Sequence, residues 1–76
     1  MNKKTVYMVE VGYGMEWLPM VEFSDLEVAK YEAEEYAISE DTQTRIKVYE
    51  IEYSDKLANL LTRTREILSK QLIEIL

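Results

Sequence analysis

Seventy-six residues allow one small domain, and the absence of Cys and His removes disulfides, thiolate or imidazole metal sites and the commonest catalytic bases and nucleophiles. Nine basic residues against fifteen acidic ones give a formal charge of −6, and residues 10–41 hold ten of those acids with Lys30 as their only cation. This balance excludes the basic footprint needed for direct binding of nucleic acid or of an anionic membrane, and it favours a basic partner.

Taken in chain order, Thr5–Val11 reads as a strand with apolar side chains of both parities, Tyr7, Val9 and Val11 against Val6 and Met8, the pattern of a central strand. The residues before it, with Lys3 and Lys4 and only a short alternating run, read as part of that strand and not as a signal peptide. Nowhere is there an apolar stretch of membrane-spanning length, so a soluble, cytoplasmic protein is expected. Gly12-Tyr13-Gly14 supplies a turn, and Met15–Phe23 alternates as the returning strand of a hairpin. Pro19 places that strand at an edge or on a bulge, because proline donates no ladder hydrogen bond. Trp17 on the same strand is expected in the core or at its rim.

The stretch Phe23–Asp41 predicts a helix capped by Ser24, with Glu27 completing a capping box and Phe23 stapled to Val28. At 100° per residue, Leu26, Ala29, Ala33, Tyr36 and Ala37 share one arc, the stripe of a helix that lies closely on a sheet. The other side is acidic, and among its carboxylates stand the apolar side chains of Tyr31 and Ile38. Aromatic and aliphatic anchors inside a polar rim are the usual anatomy of a binding hot spot. The candidate partner-binding residues are therefore Glu27, Tyr31, Glu32, Glu34, Glu35 and Ile38, with a solvated helix face as the plainer reading of the same charges.

Thr42–Tyr53 is expected as a third strand whose apolar parity changes from Ile46 and Val48 to Tyr49, Ile51 and Tyr53. A one-residue bulge accounts for that change, as does a cover on the opposite face of the strand's far end. Ser54–Leu76 then reads as a second helix with a wide apolar arc, Leu57, Leu60, Leu61, Ile67, Leu68, Leu72 and Ile75. About 21 helical residues reach roughly 31 Å, against roughly 23 Å for a seven-residue strand, so the arc overhangs one small sheet. Leu61, Leu68, Leu72 and Ile75 are accordingly the expected oligomer interface, and a homodimer is the expected state.

The fold class that follows is α+β, in the order β-β-α-β-α: a mainly antiparallel three-stranded sheet of order 2-1-3, one helix packed on it, and a long C-terminal amphipathic helix as the dimer seam. Residues 1–76 form a single domain, with 1–53 as its core and 54–76 as the oligomerisation helix. No spacing sets a catalytic pair apart among carboxylates such as Glu10, Glu16 or Glu50. Glu32, Glu34, Glu35, Glu40 and Asp41 lack the spacing of an EF-hand calcium loop. No enzyme, cofactor or metal site is expected.

The run Trp17…Phe23-Ser24-Asp25-Leu26-Glu27…Ala29…Ala33…Arg45-Ile46, within residues 5–51, resembles the hairpin, capped helix and strand of short phage-encoded proteins. In size and acidity the chain is similar to phage host-takeover proteins that mimic DNA. The resemblance implies an inhibitor that occupies the DNA-binding surface of a basic host protein, and it carries no site residues with it. The expected function is thus a non-enzymatic acidic interaction module. The alternative is a self-assembling structural module whose role is its own homo-oligomer.

Overall fold

The computed structural model describes residues 2–59 and 64–76, with side chains for residues 2–53 and 67–76. Strands β1 (Asn2–Tyr13) and β2 (Glu16–Phe23) form a hairpin, helix α1 (Leu26–Ser39) follows, and strands β3 (Thr44–Asn59) and β4 (Thr64–Ile75) complete the chain. Among the described residues the strands make one antiparallel sheet in the order β2-β1-β3-β4. Both β2 and β3 run antiparallel to the strand between them, so the chain must cross over β1 to join them. Helix α1 is that crossover.

The hairpin turns on Gly14, whose φ of 62° is the left-handed setting demanded at the first central position of a tight two-residue connection. Tyr13 and Glu16 are the last pair of its ladder. Val9 pairs with Val21 and Glu10 with Pro19, so Met20 is the extra residue of a bulge beside the proline, on the outer strand where proline is tolerated.

Side chains of β1 alternate across the sheet. Val9, with Ile46 and Val48 of β3, meets Ala29 and Ala33 of α1, and Tyr7, Val21, Phe23 and Tyr36 close the rim of this cluster. The two alanines let the helix backbone approach the sheet. Thr44 Oγ1 donates to the Ala33 carbonyl at 3.2 Å and ties the helix to β3. Helix α1 contacts β1, β2 and β3 but not β4.

The helix begins one residue later than the capping-box pattern predicts. Asp25 is the N-cap, its carboxylate accepting from the backbone N–H groups of Glu27 at 2.8 Å and Val28 at 3.3 Å. Moving the cap to Asp25 puts Val28 at the third helical position, which removes the expected pairing of Phe23 with Val28; Phe23 packs on the sheet-side cluster instead. A carboxylate at the cap also faces the positive end of the helix dipole, an advantage a serine hydroxyl lacks. At the other end Asp41 takes a φ of 50°, and Thr42 N–H donates to the Ala37 carbonyl at 3.3 Å, the closure of a Schellman motif.

The largest correction concerns residues 54–76. The long C-terminal helix, and with it the three-stranded sheet, is replaced by a continuation of β3 and by the fourth strand β4. Beyond Tyr53 the described pairing of β3 is with β4 alone, through Leu57↔Arg65 and Asn59↔Thr64. The physical reason lies in two bulges. Glu52 pairs with Ser69 and Tyr53 with Ile67, leaving Leu68 over; Val48 pairs with Glu74 and Tyr49 with Leu72, leaving Ile73 over. Each extra residue resets the alternation, so Ile67, Lys70, Leu72 and Ile75 fall on one side of the sheet at spacings of three, two and three. Apolar doublets at Ile67-Leu68, Leu72-Ile73 and Ile75-Leu76 then imitate the wide stripe of a helix.

The parity change in β3 is not a bulge in that strand, because its pairing with β1 runs without a shift from Thr44 to Tyr53. Ile46 and Val48 bury under the helix, whereas Ile51 buries on the opposite face. The change marks a core that passes from one side of the sheet to the other.

The cap assignment gives a direct test. Asp25→Ala is expected to cost about 1 kcal/mol of stability, and Ser24→Ala less than about 0.5 kcal/mol, in urea unfolding of the two variants.

Candidate interaction surfaces

The outer side of α1 gathers the sequence-predicted partner-binding residues. Glu27, Tyr31, Glu34, Glu35 and Ile38 are exposed, and Glu32 is half-buried. Tyr31 is 61% and Ile38 78% exposed, high values for apolar side chains on a helix that has a sheet to bury against. From 27 to 31, from 31 to the adjacent 34 and 35, and from these to 38 the steps are three or four residues. They form a single stripe, with the two anchors about 10 Å apart along the axis and carboxylates between them. Among the described residues its one ion pair is Glu27 with Lys30 at 4.0 Å, so Glu34 and Glu35 have no described cation beside them.

The expected oligomer residues Leu68, Leu72 and Ile75 lie on β4 and are about half exposed; Leu61 falls outside the described residues. They do not form a helical seam, because the segment is a strand.

A third arrangement was not singled out by the sequence. On the helix-free face of the sheet, Glu10 is buried, and Arg45 Nε donates to it at 2.7 Å while Lys47 Nζ stands at 3.5 Å. The Arg45 guanidinium stacks on Trp17, 4.2 Å from the ring centroid. The indole in turn lies over Gly12, where a Cβ would come within 3.3 Å of it. Further along the same face Lys70 reaches back from β4 to Glu22 of β2 at 3.0 Å, passing its ammonium 4.6 Å from the centroid of Tyr49. On this face Val6, which pairs with Tyr49, and Ile51, which lies beside Lys4, Tyr53 and Ile67, are buried with no described helix across them. The legible signal was an acid in the middle of a strand apolar on both faces, opposite a strand carrying cations two residues apart.

Where the hairpin turn meets the end of α1, the Tyr13 hydroxyl donates to Glu40 at 3.2 Å. Loss of surrounding water, then the charge and hydrogen bond of Glu40, raise this phenol above the ordinary tyrosine value. Thr42 Oγ1 donates to the Gly12 carbonyl beside it, and Gly12 N–H donates to the Gln43 carbonyl at 2.8 Å.

Among the described residues no group of three or more Asp or Glu side chains is placed to hold a metal ion. No described helix is long and apolar enough to cross a membrane. No protein family, curated protein or solved structure matches the chain.

Two outcomes follow from this geometry. Glu10→Gln leaves two cations facing a neutral amide and is expected to cost about 1–3 kcal/mol in urea unfolding, while Glu50→Gln, in the exposed pair with Lys3, should change stability by less than about 0.5 kcal/mol. The raised Tyr13 pKa favours the protonated phenol in the native state, so its contribution is present at neutral pH and is lost as pH rises through the tyrosine range. Glu40→Gln should lower the Tyr13 ionisation midpoint, read from phenolate absorbance.

Proposed function

We propose that this chain is a non-enzymatic interaction module of the cytoplasm, which lays the outer face of α1 on a basic protein. The target class is a nucleic-acid-binding protein whose DNA-contacting surface the acidic helix occupies, with inhibition as the result. The observation that carries this reading is the stripe Glu27, Tyr31, Glu34, Glu35 and Ile38, where two highly exposed apolar anchors stand among carboxylates of which Glu34 and Glu35 have no cationic partner among the described residues.

The distribution of cations supports it. Arg45, Lys47 and Lys70 are engaged by Glu10 and Glu22 on the helix-free face, so they do not dilute the negative potential on the helix side. A partner approaching α1 therefore meets an acidic surface, and its own lysines and arginines would be steered toward it. The two anchors supply the desolvated contact that charge alone does not.

The expected behaviour is capture of a basic DNA- or RNA-binding protein from nuclease-treated lysate at low salt, released by high salt and by added duplex DNA. The double variant Glu34→Lys/Glu35→Lys should abolish capture while leaving the circular dichroism spectrum unchanged. Undiminished capture by that folded variant would remove the acidic face from the account.

A further inference from the structure

The two edges of the sheet are built differently. The β2 edge is eight residues long and contains Pro19, which donates no ladder hydrogen bond and stops a further strand from adding there. The β4 edge is twelve residues long and has no proline, and its two extra residues, Leu68 and Ile73, leave an uninterrupted run from Ser69 to Leu72. Its apolar side chains Ile67, Leu68, Leu72, Ile73 and Ile75, and Leu76 just beyond it, are each between 45% and 57% exposed. They stay exposed on both faces because α1 stops short of β4 and no described element lies on the other side.

We propose that β4 is the pairing edge of a two-fold homodimer, in which β4 of one copy lies antiparallel to β4 of a second and the two sheets become one. The occupant must be a strand, because an edge is completed by backbone N–H and C=O groups, and it must bring apolar side chains to both faces. A second copy offers two edges. Its β2 edge is blocked by Pro19, which rules out a head-to-tail chain of sheets; its β4 edge carries the same apolar row.

Charge agrees with this choice. Among the described side chains of β4 Lys70 and Glu74 balance, so two such edges meet without net repulsion although each chain carries −6. The run Ser69–Leu72 pairs with β3 without interruption, and Gln71 within it is an uncharged position where the two-fold axis falls without setting Lys70 against Lys70. Lys70 is in any case turned back across its own sheet to Glu22.

A two-fold axis perpendicular to the sheet keeps both helices on the same side. Each helix lies over β1 and β3, about two strand spacings from the axis, which separates the helix axes by roughly 19 Å. The acidic faces are thereby held clear of the seam. The pairing does not depend on the reading of α1 as a docking face.

Sedimentation equilibrium of the full chain should give twice the chain mass. Leu72→Lys and Ile73→Lys, checked for folding by circular dichroism, should weaken the dimer about tenfold or more, as edge lysines do, while Ile38→Lys on α1 leaves it unchanged. Amide exchange gives a second reading that needs no variant: the β4 amides directed away from β3 should slow as wild-type concentration rises. A wild-type monomer, an open series of larger oligomers, a folded edge variant that dimerises as tightly, or outward β4 amides whose exchange ignores concentration would each overturn the pairing.

Discussion

A single helix can cover only one face of a sheet, and the rest of this structure answers to that limit. β1 is apolar on both faces, so packing Val9 under Ala29 and Ala33 leaves Val6 on the side the helix cannot reach. That second face is closed by the sheet's own long side chains. Along it Arg45 stacks on Trp17 and pairs with Glu10 beside Lys47, while Lys70 runs past Tyr49 to Glu22. A buried carboxylate is costly by itself; with a bonded guanidinium and an ammonium beside it, Glu10 serves as the anchor that fixes those covering side chains in place.

The same arrangement sorts the charges. Arg45, Lys47 and Lys70 are used on the second face, and Glu27, Glu34 and Glu35 of α1 are left facing solvent. A molecule with an acidic helix side and a neutralised sheet side results from the packing requirement. The functional reading of α1 rests on this separation as much as on the number of carboxylates. The edges show a comparable division of labour, with β2 blunted by Pro19 and β4 long, apolar and free of proline.

Much of the first fifty residues was legible. Alternation in Thr5–Val11, the glycines after it, Pro19 on the returning strand and the stripe of Leu26, Ala29, Ala33, Tyr36 and Ala37 all report local geometry, and each corresponds to what the backbone does there. The cap was misplaced by one residue because Ser24 and Asp25 are both good caps, and only the path of the chain out of β2 decides which carbonyl starts the helix. The exposed stripe of α1 was legible for the same reason as the buried one: helical periodicity assigns both at once. The Glu10 cluster was not, since it joins residues thirty-five positions apart that become neighbours only through the register of β1 with β3.

By itself the sequence determined the hairpin, the amphipathic helix and its two faces, because those follow from turn chemistry and from the periods of 2 and 3.6 along a short stretch of chain. Only the tertiary structure decided the state of residues 64–76. Their apolar doublets suit a helix stripe and a twice-bulged strand equally well, and the choice depends on the distant β3, whose open edge needs a partner for its backbone groups. A period can be read locally, whereas a strand is completed by a neighbour the local sequence does not name.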